Sequence, residues 1–172
     1  MRRARVLAGA ALALALAFCG AGAWTYAQAR GDDSLAYGRA RDAVLADGRR
    51  NIAALTTFDA STRQTAQAGV SAWRAASIGP LQEELGRTEA KTGASARGTV
   101  TEAAVTALDT RAGTAKLIAT VRVDVTPAGS KTPTTDRKRL EAVLARTGED
   151  EWKVKALDAV PLARTAEDGE AR

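Results

Sequence analysis

Residues 6–29 carry no charged side chain, and Met1-Arg2-Arg3-Ala4-Arg5 stands ahead of them. A helix rising about 1.5 Å per residue needs roughly 20 residues to cross a hydrocarbon layer of about 30 Å, so this run is long enough to span. It predicts a single transmembrane anchor over residues 6–29 behind a cytoplasmic basic tail, residues 1–5, in which Arg2, Arg3 and Arg5 hold the amino terminus inside. Trp24 and Tyr26 fall where an interfacial aromatic belt would lie, and everything after Arg30 is expected to be extracytoplasmic. Two other readings stay open. Ala27-Gln28-Ala29 has the small-x-small pattern of a secretory cleavage site, although the apolar run exceeds the usual h-region and Trp24 and Tyr26 crowd the site. Cys19 follows Leu16-Ala17-Phe18 and invites a lipidation reading, but Phe18 is large for its position, and the plainer role is a small apolar residue in the span.

Beyond Gly31-Asp32-Asp33-Ser34, whose oxygen-bearing side chains suit a helix start, Tyr37, Val44, Gly48, Ile52 and Leu55 recur at helical spacing. Arg39, Asp42, Arg49 and Arg50 project elsewhere, while Arg41 falls near the apolar face. Thr56-Thr57-Phe58-Asp59 closes this helix, and Ser61 followed by Gln64 has capping-box spacing for a second one carrying Ala68, Ala72, Trp73 and Ala76. Gly79-Pro80 interrupts the pattern, a third helix is predicted over residues 81–90, and Thr92-Gly93-Ala94-Ser95 reads as a loop.

From about Arg97 the period changes from helical to alternating. Leu117, Ala119, Val121, Val123 and Val125 take every second place, with Lys116, Thr120, Arg122 and Asp124 between them, which is a strand with one buried face. A weaker strand covers residues 100–108, turning at 109–113, and residues 127–136 form a polar hairpin loop. Residues 139–146 fit a helix or a strand. The turn Thr147-Gly148-Glu149-Asp150 and the alternation of Trp152, Val154 and Ala156 after it favour the strand. The fold class is therefore α+β: amphipathic helices packed on an antiparallel sheet over residues 30–162, with a polar flexible tail at 163–172.

Composition narrows the chemistry. Histidine is absent and Cys19 is the only cysteine, which removes a Ser-His-Asp triad, a Cys-His pair, a histidine-ligated zinc site and an intramolecular disulfide. Forty alanines and 4% aromatics imply a thin core. Of the net charge of +5, Arg2, Arg3 and Arg5 supply three, and no interleaved basic-aromatic pattern is present, so nucleic acid is not an expected partner.

The basic start, one span, helices ending in the ALTTFDAST segment (residues 54–62), the strand at 115–125 and a last hairpin in which Trp152 opens the final strand together resemble the mammalian-cell-entry (Mce)-associated membrane proteins of actinobacteria. That resemblance implies an NTF2-like exported domain with a curved sheet, and an accessory, non-catalytic role beside Mce-type lipid transport proteins in the cell envelope. It carries over no catalytic residue and no cofactor. The same order of parts resembles the bridging component of type IV secretion systems.

An isomerase-like use of such a domain needs a carboxylate base facing a phenol or a protonated acid in an apolar pocket. Tyr26 and Tyr37 are the only tyrosines, and both lie outside the sheet-forming part. Asp59 could be a base, against its commoner role with Phe58 in a turn motif. Glu102, Asp109 and Asp124 read as solvent-face or turn positions. Trp73 and Trp152 are candidates for lining a lipid-binding pocket or for the core. Asp136-Arg137-Lys138-Arg139 is a candidate contact for acidic headgroups or a partner, against a plain solvated cluster.

Overall fold

A computed structural model of the chain describes residues 33–148 and 151–160, together with Gly22, Trp24 and Tyr26. The chain divides into two units, Met1–Arg39 and Ala40–Arg172. In order the elements are α1 (Asp33–Leu55), α2 (Arg63–Ala76), α3 (Pro80–Gly86), β1 (Ser95–Asp109), β2 (Thr114–Thr126), β3 (Thr134–Arg146) and β4 (Trp152–Ala159). The predicted anchor at 6–29, its arginines Arg2, Arg3 and Arg5, Cys19 and the tail at 163–172 lie outside the described residues, apart from Gly22, Trp24 and Tyr26. Those three are helical, and both aromatics are exposed. Among the described residues no helix is long and apolar enough to cross a membrane.

The four strands pair antiparallel in sequence order, β1-β2-β3-β4, so the expected α+β class holds. Alternation divides the sheet cleanly into two faces. On the inner face Ala115, Leu117, Ala119, Val121 and Val123 of β2 stand beside Leu140, Ala142 and Leu144 of β3 and Trp152 and Val154 of β4. Val44 and Ile52 of α1 belong to the same buried cluster. Gly48, one turn from each, lets the helix lie directly on the sheet: a Cβ there would stand 2.7 Å from Leu117 Cδ1 and 3.4 Å from Leu144 Cδ2. The core is thin because small alanines alternate with the larger residues, so helix and sheet must approach closely to leave no void.

Both sheet edges are met by backbone or side chains from the helical half. On the β1 edge Phe58 and Ala96 exchange backbone hydrogen bonds of 2.7 and 2.8 Å, and Gly98 N–H donates to Thr57 Oγ1 at 3.0 Å. On the β4 edge Ile78 N–H donates to the Val154 carbonyl at 2.9 Å. Unpaired strand edges are templates for unwanted pairing, and these contacts cover part of each.

The structure differs from the sequence reading in several places, among them the start of β1 at Ser95, inside the loop predicted at 92–95. The cap of α2 is one residue later than expected: Thr62 Oγ1 accepts from Thr65 N–H, and Thr65 Oγ1 accepts from Thr62 N–H, in place of Ser61 and Gln64. Ala68 and Ala72 are exposed, and Ala66 and Ala76 are the buried positions of α2. The third helix ends at Gly86 rather than 90, where Arg87 N–H turns back to the Glu84 carbonyl. Strand β3 begins at Thr134, inside the predicted loop. A register shift between Val143 and Leu144 moves the inward set of β4 from Val154 to Leu157, so Ala156 leaves the inner face. Arg41, near the apolar stripe in projection, is exposed.

Candidate functional site

The ALTTFDAST segment forms a compact connection between α1, α2 and β1. Thr56 Oγ1 donates back to the Ile52 carbonyl at 2.7 Å as the helix ends. Phe58 then adopts extended backbone and pairs with Ala96. Its ring lies 4.6 Å from that of Trp73, tilted by 30°, and Trp73 Nε1–H donates to the Thr57 carbonyl at 2.9 Å. Trp73 is thus a half-buried strut between α2 and the turn, with its one polar atom satisfied.

Asp59 sits on the surface of the same turn. Its Oδ1 accepts from Ser61 N–H at 2.9 Å and from Ser95 Oγ–H at 3.3 Å, while Ser95 Oγ accepts from Ala60 N–H at 3.0 Å. Hydrogen bonding from Ser61, through its side chain and then its backbone, with smaller help from Ser95 and Thr65, holds the Asp59 carboxyl below the ordinary aspartate value. The ionised carboxylate is the form this turn uses. A general base needs the opposite tuning, toward neutral pH.

Trp152, the other candidate pocket residue, is 1% exposed and belongs to the main core. Its backbone is held by two side chains of α1: the N–H donates to Asp47 Oδ2 at 2.9 Å, and the carbonyl accepts from Asn51 Nδ2 at 2.7 Å. Asp47 Oδ1 also lies 3.0 Å from Arg50 Nη1. Sequence reasoning missed both residues. The signal available was their position: Asp47 and Asn51 are one turn apart, flanking Gly48 and Ile52 within the apolar stripe, where a polar side chain must find a partner.

The remaining carboxylates are accounted for simply. Asp109 Oδ1 accepts from Arg111 and Ala112 N–H at 2.9 and 2.8 Å in the β1–β2 turn, Asp124 Oδ1 accepts from Thr135 Oγ1–H at 2.6 Å, and Glu102 is exposed. Tyr26 and Tyr37 are exposed. Among the described residues, no group of three His, Cys, Asp or Glu could hold a metal, and every buried side-chain nitrogen or oxygen has a partner. Two clefts flank the Asp59 turn. One of about 590 Å³ lies between Arg63 and Gln67 of α2 and residues 89–92. The other, about 440 Å³, lies between Ser61, Ser95 and the start of the β2–β3 loop at residues 127–130. Both are open and polar rather than apolar enclosures.

No family model matches the chain, and no curated protein matches it. Among solved structures it is similar to an NTF2-like protein involved in plasmid conjugation, at 10% identity and a TM-score of 0.47; the alignment covers 72% of this chain and 50% of that one. It is also similar to a TraE protein in complex with 2-(2-furyl)isonicotinic acid, at 12% identity and a TM-score of 0.43, with 66% of this chain and 90% of that one covered. The chain therefore spans about half the length of the first of these. Likeness at this level fixes neither partner nor activity.

Proposed function

We propose that the chain is a single-pass, membrane-anchored accessory protein of an Mce-type lipid transport system in the cell envelope, whose extracytoplasmic NTF2-like domain works by docking on transport proteins rather than by catalysis. The observation that supports a non-catalytic role, and with it the docking reading, is the structural use made of Asp47 and Asp59. Each holds backbone N–H groups and so stabilises the connection of helices to sheet. The uncharged run at 6–29 supports the tether, and the ALTTFDAST segment, the β2 strand and Trp152 support the Mce association.

The test is cross-linking of the full chain in its own membranes followed by purification. Recovery of lipid-import subunits is the expected result, and recovery of secretion-channel components in their place moves the assignment to a type IV bridging role. A lipid or steroid conversion that is lost in a stably folded Asp59→Asn variant would overturn the non-enzymatic reading in favour of an isomerase-like domain, because an amide cannot accept the transferred proton.

A further inference from the structure

The charged run Asp136-Arg137-Lys138-Arg139 does not act as one cluster, because the pleat of β3 separates it. Asp136 and Lys138 stand opposite Val123 and Val121, on the side of the sheet that carries the core, and pair with each other at 4.0 Å. Arg137 and Arg139 therefore point to the outer face, opposite Arg122 and Thr120 of β2. On the same face Thr99 stands opposite Arg122, and Arg97 opposite Asp124. Four arginines thus share one end of the outer face, on three adjacent strands.

Their charge is poorly balanced. Asp124 lies within the patch, and it is taken by Arg122 Nε at 3.6 Å and by Thr135. Next along the outer face of β3 from Arg139 come Glu141, whose Oε1 is 3.6 Å from Lys116 Nζ, and its cross-strand neighbour Asp158, while Glu102 lies in the row of Arg139 but two strands away, roughly 10 Å at ordinary strand spacing. Among the described residues Arg97, Arg137 and Arg139 make no ion pair. Arg122 and Arg137 are direct cross-strand neighbours, with Cβ atoms expected about 5 Å apart, an arrangement that disfavours the folded state unless an anion lies between the two guanidinium groups. The loop beyond, residues 127–133, adds Lys131 and no acid.

We propose that this arginine end of the outer sheet face docks on an anionic phospholipid surface, with Arg122 and Arg137 sharing one phosphate and Arg97 and Arg139 engaging its neighbours. A bilayer fits better than an acidic protein because the patch has no apolar centre. Its remaining side chains are threonines, whereas protein interfaces are built around desolvated apolar or aromatic anchors. The outward apolar residues Ile118 and Val143 lie toward the other end of the strands. The proposal rests on the tethered reading above only for the nearness of a bilayer.

The test uses the full chain in nanodiscs of zwitterionic lipid, mixed with separate vesicles of phosphatidylcholine alone or with about one third phosphatidylglycerol, and reads co-flotation. Capture is expected with the anionic vesicles only, and loss of capture at high salt. At about fivefold per cation near an anionic surface, Arg122→Thr with Arg137→Thr should weaken capture about 25-fold while leaving the thermal midpoint unchanged or higher. Lysine at both positions should retain capture, and Lys116→Thr, at the far end of the same face, should leave it intact. Equal capture by both vesicle types, or capture that survives in the double threonine variant, overturns the proposal. A chain that stays out of nanodiscs would refute the tether instead, and the same flotation would then be read on the free protein.

Discussion

The carboxylate of Asp47 in the first helix holds the backbone N–H of Trp152 in the last strand at 2.9 Å, across 105 positions of sequence. Asn51, one helical turn later, takes the carbonyl of the same residue at 2.7 Å. Together they use side chains to satisfy the peptide groups that an edge strand leaves unpaired. Asp47→Ala strands a buried N–H and should cost about 2–3 kcal/mol, read as a shift of the urea midpoint. Arg50→Ala should cost less than about 0.5 kcal/mol, because its side chain is 72% exposed. Equal effects of the two substitutions would show that the ion pair, and not the strand contact, is what matters.

Gly98 permits β1 to lie close against Thr56, the residue just past the end of α1. A Cβ at that position would overlap the Thr56 hydroxyl and stand 3.1 Å from the Thr56 backbone carbon, so no rotation of a side chain relieves it. Gly98→Ala is expected to destabilise by about 2–3 kcal/mol through displacement of the Thr57 and Phe58 contacts to β1. Hydrogen exchange should show the loss of protection first at Ala96 and Gly98. An unchanged midpoint would contradict this placement of Thr56.

Trp73→Phe keeps a ring against Phe58 but removes the donor to the Thr57 carbonyl. The cost should be about 1 kcal/mol. A double-mutant cycle of Trp73→Leu with Phe58→Leu isolates the ring contact, expected at about 0.5–1.5 kcal/mol, from the hydrogen bond. A coupling of zero would mean that the rings touch without stabilising the turn.

Because hydrogen bonds lower the folded-state value of Asp59, this residue stabilises the fold above its unfolded value, near pH 4, and the contribution is lost as pH falls through the folded value. The difference in stability between wild type and Asp59→Asn should therefore stay constant from about pH 8 to about pH 5, and close below about pH 4. Chemical denaturation at several pH values checks this, and a difference that instead vanishes as pH rises through neutrality would point to a raised, base-like carboxyl.

How much could be read in advance depended on contrast between faces. Strand β2 was plain because Leu117, Val121 and Val123 face the core while Lys116 and Arg122 face water, so its period is unmistakable. Strand β1 extends further than its pattern shows, since it is an edge strand with irregularities after Val100 and Val105 and no fully buried residue to mark a face. The cap of α2 was placed one residue early because Ser61-x-x-Gln64 and Thr62-x-x-Thr65 offer equal spacing, and only tertiary packing selects between them. Asp47 and Asn51 stayed hidden because their partner is a backbone group supplied by a distant strand, which no local pattern encodes.

The clasp of Asp47 on Trp152 also sets an order of events during biosynthesis. The Val44, Gly48 and Ile52 stripe leaves the ribosome about a hundred residues before the strand that completes its cover. Until then the first helix displays apolar surface with an acid set among it, and such surface is prone to association with other chains. The domain is therefore assembled late and nearly all at once, with its earliest-made element waiting for its latest.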